Sequence, residues 1–326
     1  MVSDDIYARL LMAVLGREGP VIPSDRLQSI SGSGSDPESL ARQFLNLVYS
    51  LHPDTDLGLR YGHHLHPAGL CDFARALYTA PDIRSSLQLL TRMSFARGHC
   101  FSLFTREEGG RVWVFLTFPH QFPLHDGVRR FHMEATFSFA LNGLQAMLGN
   151  WPEDVRITLP CAPPRYQRLF VRHWPLAPEF NAPAAALSFP ARYLKAPVIS
   201  RDDALHAVSL ERAEQHWQAQ MRAANFSYRA TDAMIRHHPE LLHATALATH
   251  LNMSVRTLQK HLVRCHDTFQ HMLTRVRREL WAVYAGLLNL PAEDVSELLG
   301  FGSVSGYRRF CRTFSPSGHP VRLAQS

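Results

Sequence analysis

Cysteine is scarce and poorly placed for joint work. The five in 326 residues, Cys71, Cys100, Cys161, Cys265 and Cys311, are odd in number and follow no metal-type spacing. That scatter argues against a disulfide framework and points to a reducing compartment, so a cytoplasmic location is expected. No apolar run reaches the roughly 18 residues of a membrane span, and no membrane contact is expected. Ile6–Leu15 is apolar, but it follows Asp4 and Asp5, contains Arg9 and lacks a basic leader. It reads as an ordinary helix rather than a signal peptide. Also missing are a nucleophile elbow, a phosphate loop and a paired acidic motif. The chain is therefore not expected to be an enzyme, and no catalytic residue, metal ligand or cofactor is assigned.

The length suits about two domains of roughly 150 residues, and the apolar content is that of a folded globular chain. The net charge of +6 is unevenly spread. Residues 229–326 hold 12 Arg plus Lys against 7 Asp plus Glu, which leaves the rest near neutral. A basic module beside a neutral one suits a polyanion binder joined to a sensing partner. The histidines do not change this reading. His63, His64 and His66 near Cys71 fit no standard zinc pattern. His237 and His238 read as capping or solvent-facing, and His120, His125 and His132 near Asp126 have no catalytic motif beside them.

Pro23–Glu38 reads as an exposed loop. Ser39–Leu51 and Asp82–Phe95 have helical spacing, as does a longer stretch from about Val128 to Leu148. Leu57–Arg60 is a compact apolar-polar mix. Phe101–Thr105 and Arg111–Phe118 alternate like paired strands around a Glu107–Gly110 turn. Val155–Leu159 and Ala185–Phe189 read as strands and Pro164–Trp174 as a helix. This order predicts an α+β N-terminal effector domain, helices with a small antiparallel sheet, over residues 1–215. Phe95, Phe101, Phe104, Trp113, Phe115 and Phe118 read as the core of that sheet. The sharper alternative has some of them lining an effector pocket, with Arg92 or Arg97 as an anionic anchor and Trp113 in its wall.

Residues 216–326 are expected to form an all-α DNA-binding domain. Two copies of one pattern lie in it, Leu247–Leu258 and Val295–Tyr307, each a candidate helix-turn-helix unit. In the first, Ala248 is small beside the turn, Asn252 suits a left-handed backbone, and Ser254 is a good N-cap. The next helix would expose Val255, Arg256, Gln259 and Lys260, with Leu258 and Leu262 turned inward. Arg pairs with guanine, Gln with adenine, and Lys holds phosphate. In the second, Gly300 makes the turn, Phe301 plugs the core and Ser303 or its neighbour caps. Ser305, Arg308, Arg309 and Arg312 then project. Between the copies, Phe269, Leu273, Val276, Leu280, Val283 and Leu287 form one apolar stripe. A linker helix of about 20 residues is a rod of roughly 30 Å, close to the roughly 34 Å between successive major grooves on one side of a duplex.

Residues from about Tyr228 to Arg322 resemble the DNA-binding domain of AraC/XylS-family transcription regulators. The likeness is carried by Met253-Ser254-x-Arg256-Thr257-Leu258-Gln259-Lys260-x-Leu262, by Phe269-x-x-Met272-Leu273-x-x-Val276-Arg277 and by Leu299-Gly300-Phe301-x-Ser303-x-Ser305-x-Tyr307-x-Arg309. It implies that Arg256, Gln259 and Lys260 face the first groove and Ser305, Arg308 and Arg309 the second. Ser254, Thr257, Ser303 and Arg312 complete the expected contact set. Asp267 stands where the glycine before the Thr-Phe step is usual, Ser296 where Ala is, and Phe310-Cys311 where Ala-Phe is. The closing motif survives only loosely as Gly318-His319-Pro320. The second unit is accordingly expected to bind more weakly or read fewer bases.

Upstream, Leu57-Gly58-Leu59-Arg60, Ser85–Leu90, Val155-x-Ile157, Tyr166-x-x-x-Phe170 and Leu187-Ser188-Phe189 resemble the arabinose-binding-like effector domain of one branch of the family. The resemblance implies a regulator of transcription acting on promoter DNA, with RNA polymerase as partner, a small-molecule effector and homodimer formation. The alternative is a regulator without an effector, whose N-terminal domain only dimerises or binds a protein.

Overall fold

The computed structural model describes residues 37–65, 71–93, 101–120 and 124–314. Ile6–Leu15, most of the Pro23–Glu38 loop, His66, Phe95, Arg97, Cys100 and Gly318–Pro320 lie outside them. The elements are α1 (Pro37–Leu51), α2 (Leu57–His64), α3 (Asp72–Tyr78), α4 (Ile83–Met93), β1 (Ser102–Glu108), β2 (Arg111–Thr117), α5 (Asp126–Leu148) and β3 (Arg156–Leu159). Short helical turns over Gln167–Leu169 and Phe170–His173 replace the single helix expected there. Then follow β4 (Glu179–Phe180), β5 (Ala185–Pro190) and α6 (Asp203–Ala223). The strands form one sheet in the order β1-β2-β5-β3-β4, antiparallel except for the short β3–β4 pair.

Side chains alternate across a strand, and β2 uses both of its faces. Val112, Val114 and Leu116 join Leu103, Leu187 and Phe189 in one core with α1–α5. Trp113 and Phe115 point the other way with Phe104 and Ala186, into a second core made with the C-terminal helices. The aromatic cluster expected as one sheet core is thus split between two.

The approach of α2 to α5 is unusually close, and two glycines permit it. A Cβ on Gly58 would lie 2.9 Å from the Phe131 Cα, and one on Gly62 would lie 2.8 Å from the Ala135 Cα and 2.6 Å from the Ser138 Cβ. Glu134 is fully buried in this contact and accepts the Tyr166 hydroxyl at 2.6 Å. Burial lifts its carboxyl from an ordinary 4.5 to about 8. The folded chain therefore keeps a proton that the unfolded chain gives up. Stability from this group is full below the ordinary value and declines as pH rises toward the folded one. Glu134→Gln should flatten the fall in stability between about pH 5 and pH 8; urea titrations of both proteins at several pH values would measure it, and parallel slopes would contradict it.

The C-terminal part comprises α7 (Phe226–Arg236), α8 (Ala244–His250), α9 (Val255–Arg264), α10 (Phe269–Trp281), a π-helical turn (Ala282–Leu287), α11 (Ala292–Leu298) and α12 (Val304–Phe314). A division after residue 215 would cut α6, which runs unbroken to Ala223 and packs Ala213 and Trp217 on the first core. The chain leaves that core only at Ala224–Asn225, where Asn225 caps α7. The uniform rod expected over residues 269–290 is also corrected. Its α-helical ladder stops at Trp281, and Leu288 N–H reaches back five residues to the Val283 carbonyl.

Candidate nucleic-acid interface

The two C-terminal helix pairs share their turns bond for bond. In the first, Leu251 N–H donates to the Leu247 carbonyl, Asn252 N–H to Thr249 and Met253 N–H to Ala248. In the second, Leu299 donates to Val295, Gly300 to Glu297 and Phe301 to Ser296. Asn252 (φ 55°) and Gly300 (φ 65°) occupy equivalent left-handed positions, which Asn and Gly tolerate best. Ala248 and Ser296 are both buried beside their turns. The copies then part by one residue. Ser254 directly follows Met253, whereas Gly302 intervenes between Phe301 and Ser303. Ser254 Oγ accepts the Thr257 N–H at 3.1 Å, and Ser303 Oγ accepts the Gly306 N–H at 3.3 Å.

These caps bring Arg256, Gln259 and Lys260 into correspondence with Ser305, Arg308 and Arg309, all exposed. Thr257 is half-buried, its hydroxyl 2.9 Å from that of Ser254. Arg312 projects from the same side of α12, while Leu258, Leu262 and Tyr307 face the core. An open groove of about 460 Å³ borders the second turn, with Glu240, Glu293 and Glu297 in its wall. Its acidic wall would repel phosphate, leaving the arginine side of α12 as the favourable approach for a polyanion.

Arg277 locks the second turn to α10. It donates to the carbonyls of Leu299 and Gly300, both at 2.8 Å, and its guanidinium lies 3.9 Å from the centre of the Phe301 ring. Burial lowers its pKa to about 10, still charged at neutral pH. Phe301 is half-buried against Arg277 and Phe310, whose ring is 5.4 Å away. Cys311 also packs on this core.

The left-handed residue between α9 and α10 is His266 (φ 54°), one position before Asp267. Asp267 is instead a buried anchor. It receives the Ser227 hydroxyl at 2.6 Å, the Thr268 N–H at 2.9 Å and Arg275 at 2.6 Å. Burial opposes its ionisation, yet the bonds from Arg275 and Ser227 hold its carboxyl below the usual range. Arg275 also donates to the Pro119 carbonyl at 2.9 Å, and Glu279 accepts the Phe118 N–H at 3.0 Å. The helix between the two pairs thus grips the end of β2.

Of the groups proposed to share an effector pocket, Arg97 lies outside the described residues, and Arg92 and Trp113 have separate surroundings. Arg92 is exposed and paired with Glu214. Trp113 stacks on Phe115 with centroids 6.0 Å apart, in the second core. The histidines are likewise dispersed. His125 caps α5, His132 is half-buried with its pKa lowered to about 4 by desolvation, and His120 stacks on Tyr228 at 4.2 Å. His63 and His64 end α2, with the His173 ring 5.2 Å from that of His63. His238 is not solvent-facing. It lies between Phe104 and Tyr284, and burial lowers its pKa to about 4. Among the described residues no helix is long and apolar enough to cross a membrane.

Residues 38–198 match the arabinose-binding domain found at the N-terminus of AraC transcription regulators. The chain is 24% identical over 287 residues to the ornithine utilization regulator of Pseudomonas aeruginosa, covering 83% of this chain and 80% of the relative. The crystal structure of the transcriptional regulator CdpR from Pseudomonas aeruginosa superposes with a TM-score of 0.50 at 18% identity, covering 96% of each chain, and has the same fold.

Proposed function

We propose, from the premise that this is a transcriptional regulator of AraC type, that its two C-terminal helix pairs are helix-turn-helix units reading promoter DNA in adjacent major grooves. The observation that carries this is the matched pair of capped helices, each presenting exposed polar and basic side chains at equivalent positions. Arg256 and Gln259 select bases in the first groove while Lys260 holds phosphate. In the second, Ser305, Arg308 and Arg309 take those places and Arg312 adds a phosphate contact. Residues 224–326 are the DNA-binding domain.

The sheet-bearing domain controls this binding through a small effector, a reading supported by the family of residues 38–198. The chain works in the cytoplasm with RNA polymerase and pairs with a second copy of itself. Leu205 and Val208, exposed on α6, offer apolar surface for that pairing.

Arg256→Ala should weaken binding to the selected duplex by roughly 1–3 kcal/mol without altering the fold. Mobility-shift titrations on selected and random duplexes would measure it; an equal loss on both would make Arg256 a phosphate contact. Repeating the titrations with ornithine and related amino acids tests effector control.

A further inference from the structure

The connection between the two reading helices has one irregular element, the π-helical turn Ala282–Leu287. A wider turn in a helix re-aims whatever follows it, and such turns recur at functional sites. This one is held from outside by the effector-domain sheet. Gly286 faces Pro183, the residue two before β5, so closely that a Cβ on Gly286 would lie 2.6 Å from the Pro183 Cβ. Tyr284 is 1% exposed. The Arg106 guanidinium of β1 sits 5.2 Å from its ring centre, and the Phe104 ring lies 6.4 Å away. The Tyr284 hydroxyl bonds to the His238 ring, which Phe104 meets edge-on at 5.0 Å. Every one of these contacts falls on the turn or its immediate support.

We propose that Pro183, Phe104 and Arg106 determine the half-site spacing this regulator accepts, by holding the π-helical turn and so the orientation of α12 relative to α9. The inference rests on the two-groove reading of DNA. B-form DNA turns once in about 10 base pairs, so one inserted base pair both shifts and rotates the second half-site. A connection braced at its irregular point discriminates against that change, and a released one tolerates it. The docked arrangement leaves Arg256, Gln259, Arg308 and Arg309 exposed, so the sheet governs geometry rather than access.

The test uses the full chain and a duplex that it enriches from a random-sequence library, plus versions with one base pair added or removed between the two contacted regions. The wild type should lose roughly tenfold in affinity on either altered duplex, the scale of one mismatched contact. Pro183→Gly and, separately, Arg106→Ala should each reduce that penalty to about threefold or less. Binding to a duplex carrying only the first half-site should not change. Gly286→Ala, which drives a methyl against Pro183, should shift the preferred spacing, and adding Pro183→Gly in the same chain should remove that shift and leave the relaxed spacing of Pro183→Gly alone. That reversal separates pressure on the contact from damage to the turn. Wild-type discrimination in both Pro183→Gly and Arg106→Ala overturns the proposal. Failure to enrich any duplex overturns the DNA reading beneath it, a distinct result.

Discussion

Gly62→Val should destabilise the sheet-bearing domain by about 3 kcal/mol, the upper end of what overpacking costs. The reason lies in what the new atoms would meet. They face the Ala135 Cα and carbonyl at 2.8 Å and the Ser138 Cβ at 2.6 Å. None of these is the far end of a flexible chain. Relief requires α2 to move off α5, and that movement would uncover Leu57, Leu59 and Tyr61, which are buried. Gly302 supplies the contrast, since nothing lies within 4 Å of a Cβ built there. Gly302→Ala should shift stability by no more than about 0.5 kcal/mol. Urea unfolding of both variants gives the comparison, and equal midpoints would remove the packing argument.

Arg277→Ala should cost about 3 kcal/mol in the C-terminal part and, on the proposed DNA reading, weaken contact with the second half-site. Two charge-assisted hydrogen bonds and a ring contact disappear together. The carbonyls of Leu299 and Gly300 lose their side-chain donors, and Phe301 loses the cation above it. Arg277→Lys should recover only part of this, because an ammonium cannot span both carbonyls as a planar fork does. Hydrogen exchange at residues 299–307 would report the loosening. Unchanged protection in Arg277→Ala would show that the turn holds without its brace.

The local chemistry of α9, α12 and their turns was legible in the sequence because single residues decide it. Ser254 caps, Asn252 and Gly300 adopt left-handed backbone, and Leu258 and Leu262 turn inward, as their types require. The main helices, both long strands of the hairpin and β5 follow from periodicity in the same way. The short β4 and α3 carry too few residues for a period to register. The π-helical turn was hidden because Val283 and Leu287 keep the four-and-three spacing that a continuous helix would also show.

Asp267, read only as a departure from the family's glycine, gave no sign that its neighbour His266 takes the left-handed backbone. Only tertiary partners separate their roles: Asp267 has Ser227 and Arg275 around it. The second face of β2 was missed for a related reason. Trp113 and Phe115 look like any sheet core until a second layer of helices is seen to cover them. No residue pattern marked an effector site: of the candidates, Arg92 pairs with Glu214 and Trp113 stacks on Phe115, while Arg97 lies outside the described residues.

The one-residue offset at Gly302 has a consequence for direction. The backbone of the two turns repeats, but the side chains proposed to meet DNA do not: Arg256, Gln259 and Lys260 become Ser305, Arg308 and Arg309. On the proposed two-groove reading, such a molecule sees two different words, not one word twice. Its recognition sequence would have a left and a right that cannot be exchanged, so a single copy would lie on a promoter facing one way. Whatever it touches beyond the DNA is then met from a fixed side.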